Sequence, residues 1–190
     1  MRSANNKKLN SSIDYEDFVP KKYWQVISFS FGTWQDWDYN WDYASSGMNS
    51  DMWVRFHNWH TISFELGNSF GGIRRNLTRG GPVAKSPTFY RYNIAYRTDR
   101  RKNINAFIRY SDRDAIDGEY DTSIKTGFNL RLNSQWEIEF DVFTNKEFDT
   151  DQYVATILDP FATNTYGSRY LFTDISTNSK GLTFEASYIK

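Results

Sequence analysis

The chain contains no cysteine. That excludes a disulfide framework and thiolate chemistry, and leaves the redox compartment unread. Neither sign of charge is in excess: 23 Lys and Arg stand against 23 Asp and Glu over 190 residues. This balance gives no electrostatic reason to expect nucleic acid as a partner. Mean hydropathy is -0.71, and with no long apolar run no segment reads as a transmembrane helix. Membrane strands remain open, since they need only about 9–11 residues, half of them polar. Residues 1–22 lack the apolar core of a signal peptide. There is no Walker loop, no Ser-His-Asp spacing, no CxxC, no helical period beyond two turns and no internal repeat.

What the chain has in plenty is aromatic side chains, 18% of residues, with 7 Trp, 13 Tyr and 15 Phe. Such a content fits a dense all-β core or an aromatic-rich surface at a membrane interface. The length suits one domain.

The clearest pattern runs from Tyr120 to Phe143. Tyr120, Thr122, Ile124, Thr126, Phe128, Leu130 and Leu132 alternate with Asp121, Ser123, Lys125, Gly127, Asn129 and Arg131. After Asn133-Ser134-Gln135, the apolar residues Trp136, Ile138, Phe140 and Val142 alternate with Glu137, Glu139 and Asp141. Keeping even positions opposite even positions demands an odd-length turn, because a one-residue slip flips every side chain. A loop of Asn133 to Gln135 satisfies this. It sets Leu132 beside Trp136, Leu130 beside Ile138, Phe128 beside Phe140, and Arg131 beside Glu137.

Other stretches alternate too. From Tyr23 the alternation keeps one parity, with Ile27, Phe29, Phe31, Trp37, Tyr39, Trp41 and Tyr43 all at odd positions; Ala44–Asn49 reads as a turn; Met52 to Leu66 reads as one long strand. A Gly-, Pro- and Arg-dense loop spans Phe70 to Pro87. Strands follow over Tyr90–Arg97 and Ile104–Tyr110, an irregular stretch over Asn145–Ser168 with a short strand at Tyr153–Leu158, extended chain at Arg169–Ile175, and a last alternation from Leu182. Residues 1–22 read as a polar lead-in, disordered or linker, and 23–190 as the structured segment.

Such a chain of strands folds as a sandwich, as a soluble lipocalin-like barrel with apolar residues inside, or as a membrane barrel with them outside. Three features favour the last. The polar faces are ionic, with Arg91, Arg97, Arg109, Lys125, Arg131, Glu137, Glu139 and Asp141 on successive strands. Trp and Tyr stand near strand ends (Tyr90, Tyr110, Tyr120, Trp136, and the Trp37-Tyr39-Trp41-Tyr43 run). Short turns alternate with longer loops. We therefore expect an all-β, antiparallel up-and-down transmembrane β-barrel, in the form of an incomplete segment of about seven to eight strands.

The loop Leu77-Thr78-Arg79-Gly80-Gly81-Pro82 resembles the signature of a Bacteroidota-type outer-membrane family of unknown function, whose C-terminal half is a β-barrel. Gly167 to Ile175, with Leu182 onward, is similar to that family's penultimate region. The resemblance implies a location in the bacterial outer membrane and the lipid bilayer as partner. It also implies an association with carbohydrate, since family members often carry a preceding domain similar to family-9 carbohydrate-binding modules. Some members are labelled hydrolases. The chain lacks that domain, the export signal and a C-terminal aromatic, ending Ile189-Lys190; we expect a piece of a longer chain.

Candidate chemistry is sparse. Asp36, Asp38, Asn40 and Asp42 look like the start of a calcium loop, but Trp41 and Gly47 stand where Gly and Glu belong. Trp53, Arg55, His57, Trp59 and Glu65 share a face and form a candidate ligand wall, against the plainer account of a bore filled by large polar side chains. Glu137, Glu139 and Asp141 have the spacing of a glycosidase pair, but Arg131 is placed to neutralise Glu137, and we assign them as ion pairs with Arg131. Arg79 is expected to be tied to carboxylates beside a fixed Gly-Gly-Pro turn. We expect no cofactor, no metal, no nucleic acid and no catalytic residue. An enzyme is the weakest of the three possibilities, after the conduit and the soluble binding module.

Overall fold

The computed structural model describes residues 6–39 and 41–188. Strands β1 (Asn6–Asp17), β2 (Val26–Asp38), β3 (Tyr43–Arg55) and β4 (Thr61–Phe70) are followed by a small two-stranded excursion, β5 (Ile73–Arg74) and β6 (Ala84–Lys85). Then come β7 (Phe89–Arg97), β8 (Ile104–Ala115), β9 (Tyr120–Arg131), β10 (Trp136–Leu158) and β11 (Ser168–Tyr188). Nine strands pair in the order β1-β2-β3-β4-β7-β8-β9-β10-β11. Every pairing is antiparallel, so the all-β, up-and-down expectation holds. The strand number does not: there are nine rather than seven or eight. Among the described residues β1 and β11 pair on one side only, and the sheet is open.

The central hairpin forms as its parity requires. Leu130 pairs Ile138, Phe128 pairs Phe140, and Arg131 pairs Glu137. The Leu132 amide donates to the Trp136 carbonyl at 3.1 Å.

Four expectations are corrected. Residues 6–17 of the lead-in form β1, because Leu9, Ile13 and Tyr15 continue the apolar face of β2; residues 1–5 lie outside the described residues. The expected strand Met52–Leu66 is two strands around the turn Phe56–His60. That turn carries no glycine or proline; Trp59 itself takes the left-handed conformation (φ 64). Its odd length keeps the alternation in phase, which hides it. Ala44–Asn49 belongs to β3, which starts at Tyr43, and the Asp38 carboxylate at the end of β2 accepts from the Asp42 amide at 2.9 Å. The irregular stretch after Asn145 is mostly strand. Register shifts between Asp149 and Gln152 and between Tyr153 and Ala155 break its alternation.

One face of the sheet is ionic and the other apolar, and no hydrophobic residue among those described is buried. Ile13 is 72% exposed, Leu182 64% and Phe184 63%. The apolar residues form a band that runs obliquely across the strands. One row of paired residues runs Ile27–Val54–Ile62–Tyr96–Ile108–Thr126–Val142–Leu182. Val54 is the lowest apolar residue of its strand's face, and the band rises from it through Met52 to Met48. On β11 the matching run begins at Leu182 and descends through Phe184 to Tyr188. Above Leu182 stand Lys180 and Asn178. The band thus drops by six positions, or about 20 Å of strand, across six strand spacings of roughly 29 Å. Strands tilted by about 35° to the band's normal account for both figures.

Candidate functional site

The ends of the sheet differ. At one end lie the turns Phe56–His60, residues 98–103 and residues 132–135; at the other lie the β5–β6 excursion and the extension of β10 and β11. Each end carries one cluster.

At the excursion end, Arg74 is the anchor. Its Nη1 donates to both Asp151 oxygens at 2.8 and 2.7 Å, and its Nη2 to both Glu119 oxygens at 3.1 and 3.0 Å. Glu119 is 5% exposed. Burial pushes its carboxyl above the usual range, with the Arg74 charge pulling the other way. Arg75 reaches Asp38 of β2 at 2.7 Å. The excursion is therefore pinned to β2, to the β8–β9 turn and to β10. Carboxylate atoms of Glu119, Asp149 and Asp151 lie within 4.8 Å of one another, but the Arg74 guanidinium holds two of the three groups and supplies the positive charge there.

The Leu77–Pro82 motif builds a tight turn within this excursion. Arg79 (φ 51) and Gly80 (φ 109) are left-handed. The Arg79 amide donates to the Asn76 carbonyl at 3.2 Å, and the Thr78 hydroxyl to the Pro82 carbonyl at 2.8 Å. Arg79 stacks over the Tyr153 ring, 4.4 Å from its centroid, and makes no ion pair among the described residues, so the carboxylate tie expected for it is not formed. A Cβ on Gly81 would run into the Tyr170 ring. Gly81→Ala is therefore expected to cost about 1–3 kcal/mol by overpacking. A fall in the denaturant midpoint, largely restored by adding Tyr170→Ala, checks it.

At the short-turn end a cavity of about 570 Å³ opens on the ionic face, lined by Trp53, Arg55, Trp59, Arg97, Arg101 and Arg109 among others. Of the candidate wall, Trp53, Arg55 and Trp59 meet here. Arg55 lies 5.4 Å from the ring centroids of both tryptophans, and Arg101 lies 3.7 Å over Trp59. His57 and Glu65 are elsewhere. His57 Nε2 is 2.7 Å from the Lys21 carbonyl oxygen in the turn, and Glu65 accepts from Asn93 at 2.6 Å further up the sheet. The regular strand assumed for 52–66 placed them together; the turn separates them. Sequence reasoning missed Arg101 and Asp99, and the Asp99-Arg100-Arg101 turn was the only signal.

Asp99, 4% exposed, accepts two bonds from the Arg101 side chain, at 2.9 and 2.8 Å. Chiefly through these bonds its carboxyl is lowered to about 2. The unfolded value is near 3.9, so the stabilisation from this clamp is complete above about pH 4 and lost as pH falls through 2. A carboxyl-carbon NMR titration is expected to show a midpoint near 2, returning to about 4 in Arg101→Gln.

The ionic ladder of β9 and β10 is present. Arg131 bonds Glu137 at 3.3 Å and Lys125 bonds Asp141 at 2.8 Å. Asn129 donates to Glu137 at 2.6 Å and to Glu139 at 3.0 Å. Of the three carboxylates assigned as ion pairs with Arg131, only Glu137 pairs with it; Asp141 pairs with Lys125, and Glu139 makes no ion pair among the described residues, accepting only from the neutral Asn129 amide. Asp36 faces Ser45 and Asp38 faces Arg75, while Asn40 lies outside the described residues. At strand ends Trp136 and Tyr188 pack at 5.0 Å, and Tyr120, at the start of β9, stacks on Phe148 in the middle of β10 at 5.8 Å.

Comparison with protein-family models, with curated proteins and with solved structures found no match in any of the three. The resemblance carried by the Leu77–Pro82 motif accordingly rests on its own residues.

Proposed function

We propose that the chain forms the wall of a transmembrane β-barrel in a bacterial outer membrane. Its apolar face meets lipid, its ionic face lines the bore, and it serves as an anchor or conduit for a surface-binding module in glycan handling. The observation that carries this reading is the oblique apolar band. A soluble sheet gains nothing from an apolar stripe inclined to its strands, whereas a barrel must tilt its strands by about 35–45° against the bilayer normal. The width agrees as well: from Ile124 on β9 to Leu132, just past its end, is eight positions, about 27 Å along the chain, or about 22 Å upright at that tilt, against an apolar belt of about 25 Å.

The absence of any buried hydrophobic residue among those described supports the same reading. A water-soluble chain of this length must bury apolar surface to offset its conformational entropy; a bilayer removes that need. The Trp136–Tyr188 pair at strand ends fits an interfacial girdle, and short turns at one end with an elaborated excursion at the other fit barrel asymmetry.

The test is reconstitution. In detergent or lipid vesicles the protein is expected to show strand circular dichroism and a compact band on unheated gels that shifts on boiling. A detergent-free monomer that takes up an apolar dye would overturn the reading in favour of a soluble binding module.

A further inference from the structure

We infer that the Trp53–Trp59 cavity is a binding site for a small multivalent oxyanion: a compact molecule bearing several carboxylate, phosphate or sulfate groups. Several cations elsewhere on the ionic side are matched to acids, as in Lys125–Asp141, Arg131–Glu137 and Arg74 with Glu119 and Asp151. Arg91 and Arg113 make no ion pair among the described residues, but they line a cavity that also holds Asp51 and Glu65. The Trp53–Trp59 cavity has no such balance. Five arginines line it against one carboxylate, that of Asp99, and Asp99 is held by Arg101.

Arg55, Arg97 and Arg109 make no ion pair among the described residues. Arg55 rests on the two tryptophans and Arg97 lies 5.3 Å from the Phe107 ring. Aromatic faces position the Arg55 and Arg97 guanidinium groups without neutralising them. Such a cluster repels itself unless an anion joins it. The planar forks suit oxyanions, which accept paired N–H bonds. The volume, about 570 Å³, matches a small-molecule site. The inference needs only a wet ionic face, which holds whichever solvent meets the apolar face, so it stands apart from the membrane proposal.

The test is a titration of the full chain in non-ionic detergent at low salt, followed by tryptophan fluorescence and calorimetry. The probes are citrate, glucose 6-phosphate, inorganic phosphate and glucose. Saturable binding of citrate or glucose 6-phosphate, at least tenfold tighter than inorganic phosphate and with no response to glucose, is expected. The ratio between the two organic anions tells whether carboxylate or phosphate is preferred. Arg97→Gln with Arg109→Gln is expected to weaken binding at least tenfold, and Arg97→Lys with Arg109→Lys to weaken it less, with the circular dichroism spectrum unchanged. If the glutamine pair fails to fold, the lysine pair decides: affinity equal to the parent's contradicts the inference. No saturable signal from any anion, or equal binding by glucose, also overturns it.

Discussion

Ile108→Arg and Phe128→Arg are each expected to destabilise the protein in lipid vesicles by about 2–4 kcal/mol. That is the cost of placing a guanidinium on the lipid face near the bilayer midplane. Both side chains sit mid-band, Ile108 paired with Tyr96 and Thr126, Phe128 with Ala106 and Phe140. Ser123→Arg, on the ionic face of the same β9 strand, is expected to change stability by less than about 0.5 kcal/mol, as an ordinary surface substitution does. The contrast matters more than either value. Ile108 is 50% exposed and Phe128 42%, so if water met this face, arginine there would also be an ordinary surface change. Unfolding in guanidinium from vesicles, read by tryptophan fluorescence, measures the difference. Equal, small effects at all three positions would contradict a lipid-facing band.

Arg74→Ala carries the second large effect. It removes four hydrogen bonds and strands two carboxylates, of which Glu119 is buried. Breaking a buried ion pair costs about 3–5 kcal/mol. We expect about 3, at the low end, because Arg74 and Asp151 keep 23% and 26% of their side-chain surface. The loss is local, since Arg74 ties the excursion rather than the sheet. Its signature is faster tryptic cleavage at Arg75 and Arg79, by roughly a hundredfold at 1.4 kcal/mol per decade. Adding Glu119→Gln to Arg74→Ala is expected to recover part of the loss, because the stranded charge is then gone. Cleavage rates unchanged from the parent would show that the excursion is held by something else.

Much of the sheet was legible because alternation is a two-state signal. A residue faces one side or the other, and parity across a turn fixes its length. The β9–β10 hairpin follows from that alone. The same logic failed at Phe56–His60, where an odd turn without glycine or proline left the parity intact and two strands read as one. It failed again in β10, where two bulges scrambled the alternation of residues that are nonetheless paired. The polar sequence of β1 hid a strand whose only apolar residues are spaced along one edge. The arginine cavity was half legible: Trp53, Arg55 and Trp59 share a face by parity, but Arg97, Arg101 and Arg109 arrive from neighbouring strands and a turn, through pairings that local pattern does not specify. The obliquity of the apolar band was not legible at all, because it exists only once the register of every strand is known.

That obliquity also gives the sharpest test. The absence of native cysteine allows single cysteines carrying a fluorophore to be read without background. Met52 and Lys180 occupy one row, through Phe64, Ile94, Tyr110, Ile124 and Thr144. In vesicles, a probe at Met52 is predicted to be quenched from within the lipid and shielded from iodide, and a probe at Lys180 to be quenched by iodide alone. Lipid quenching at both, or iodide quenching at both, would contradict tilted strands crossing a bilayer.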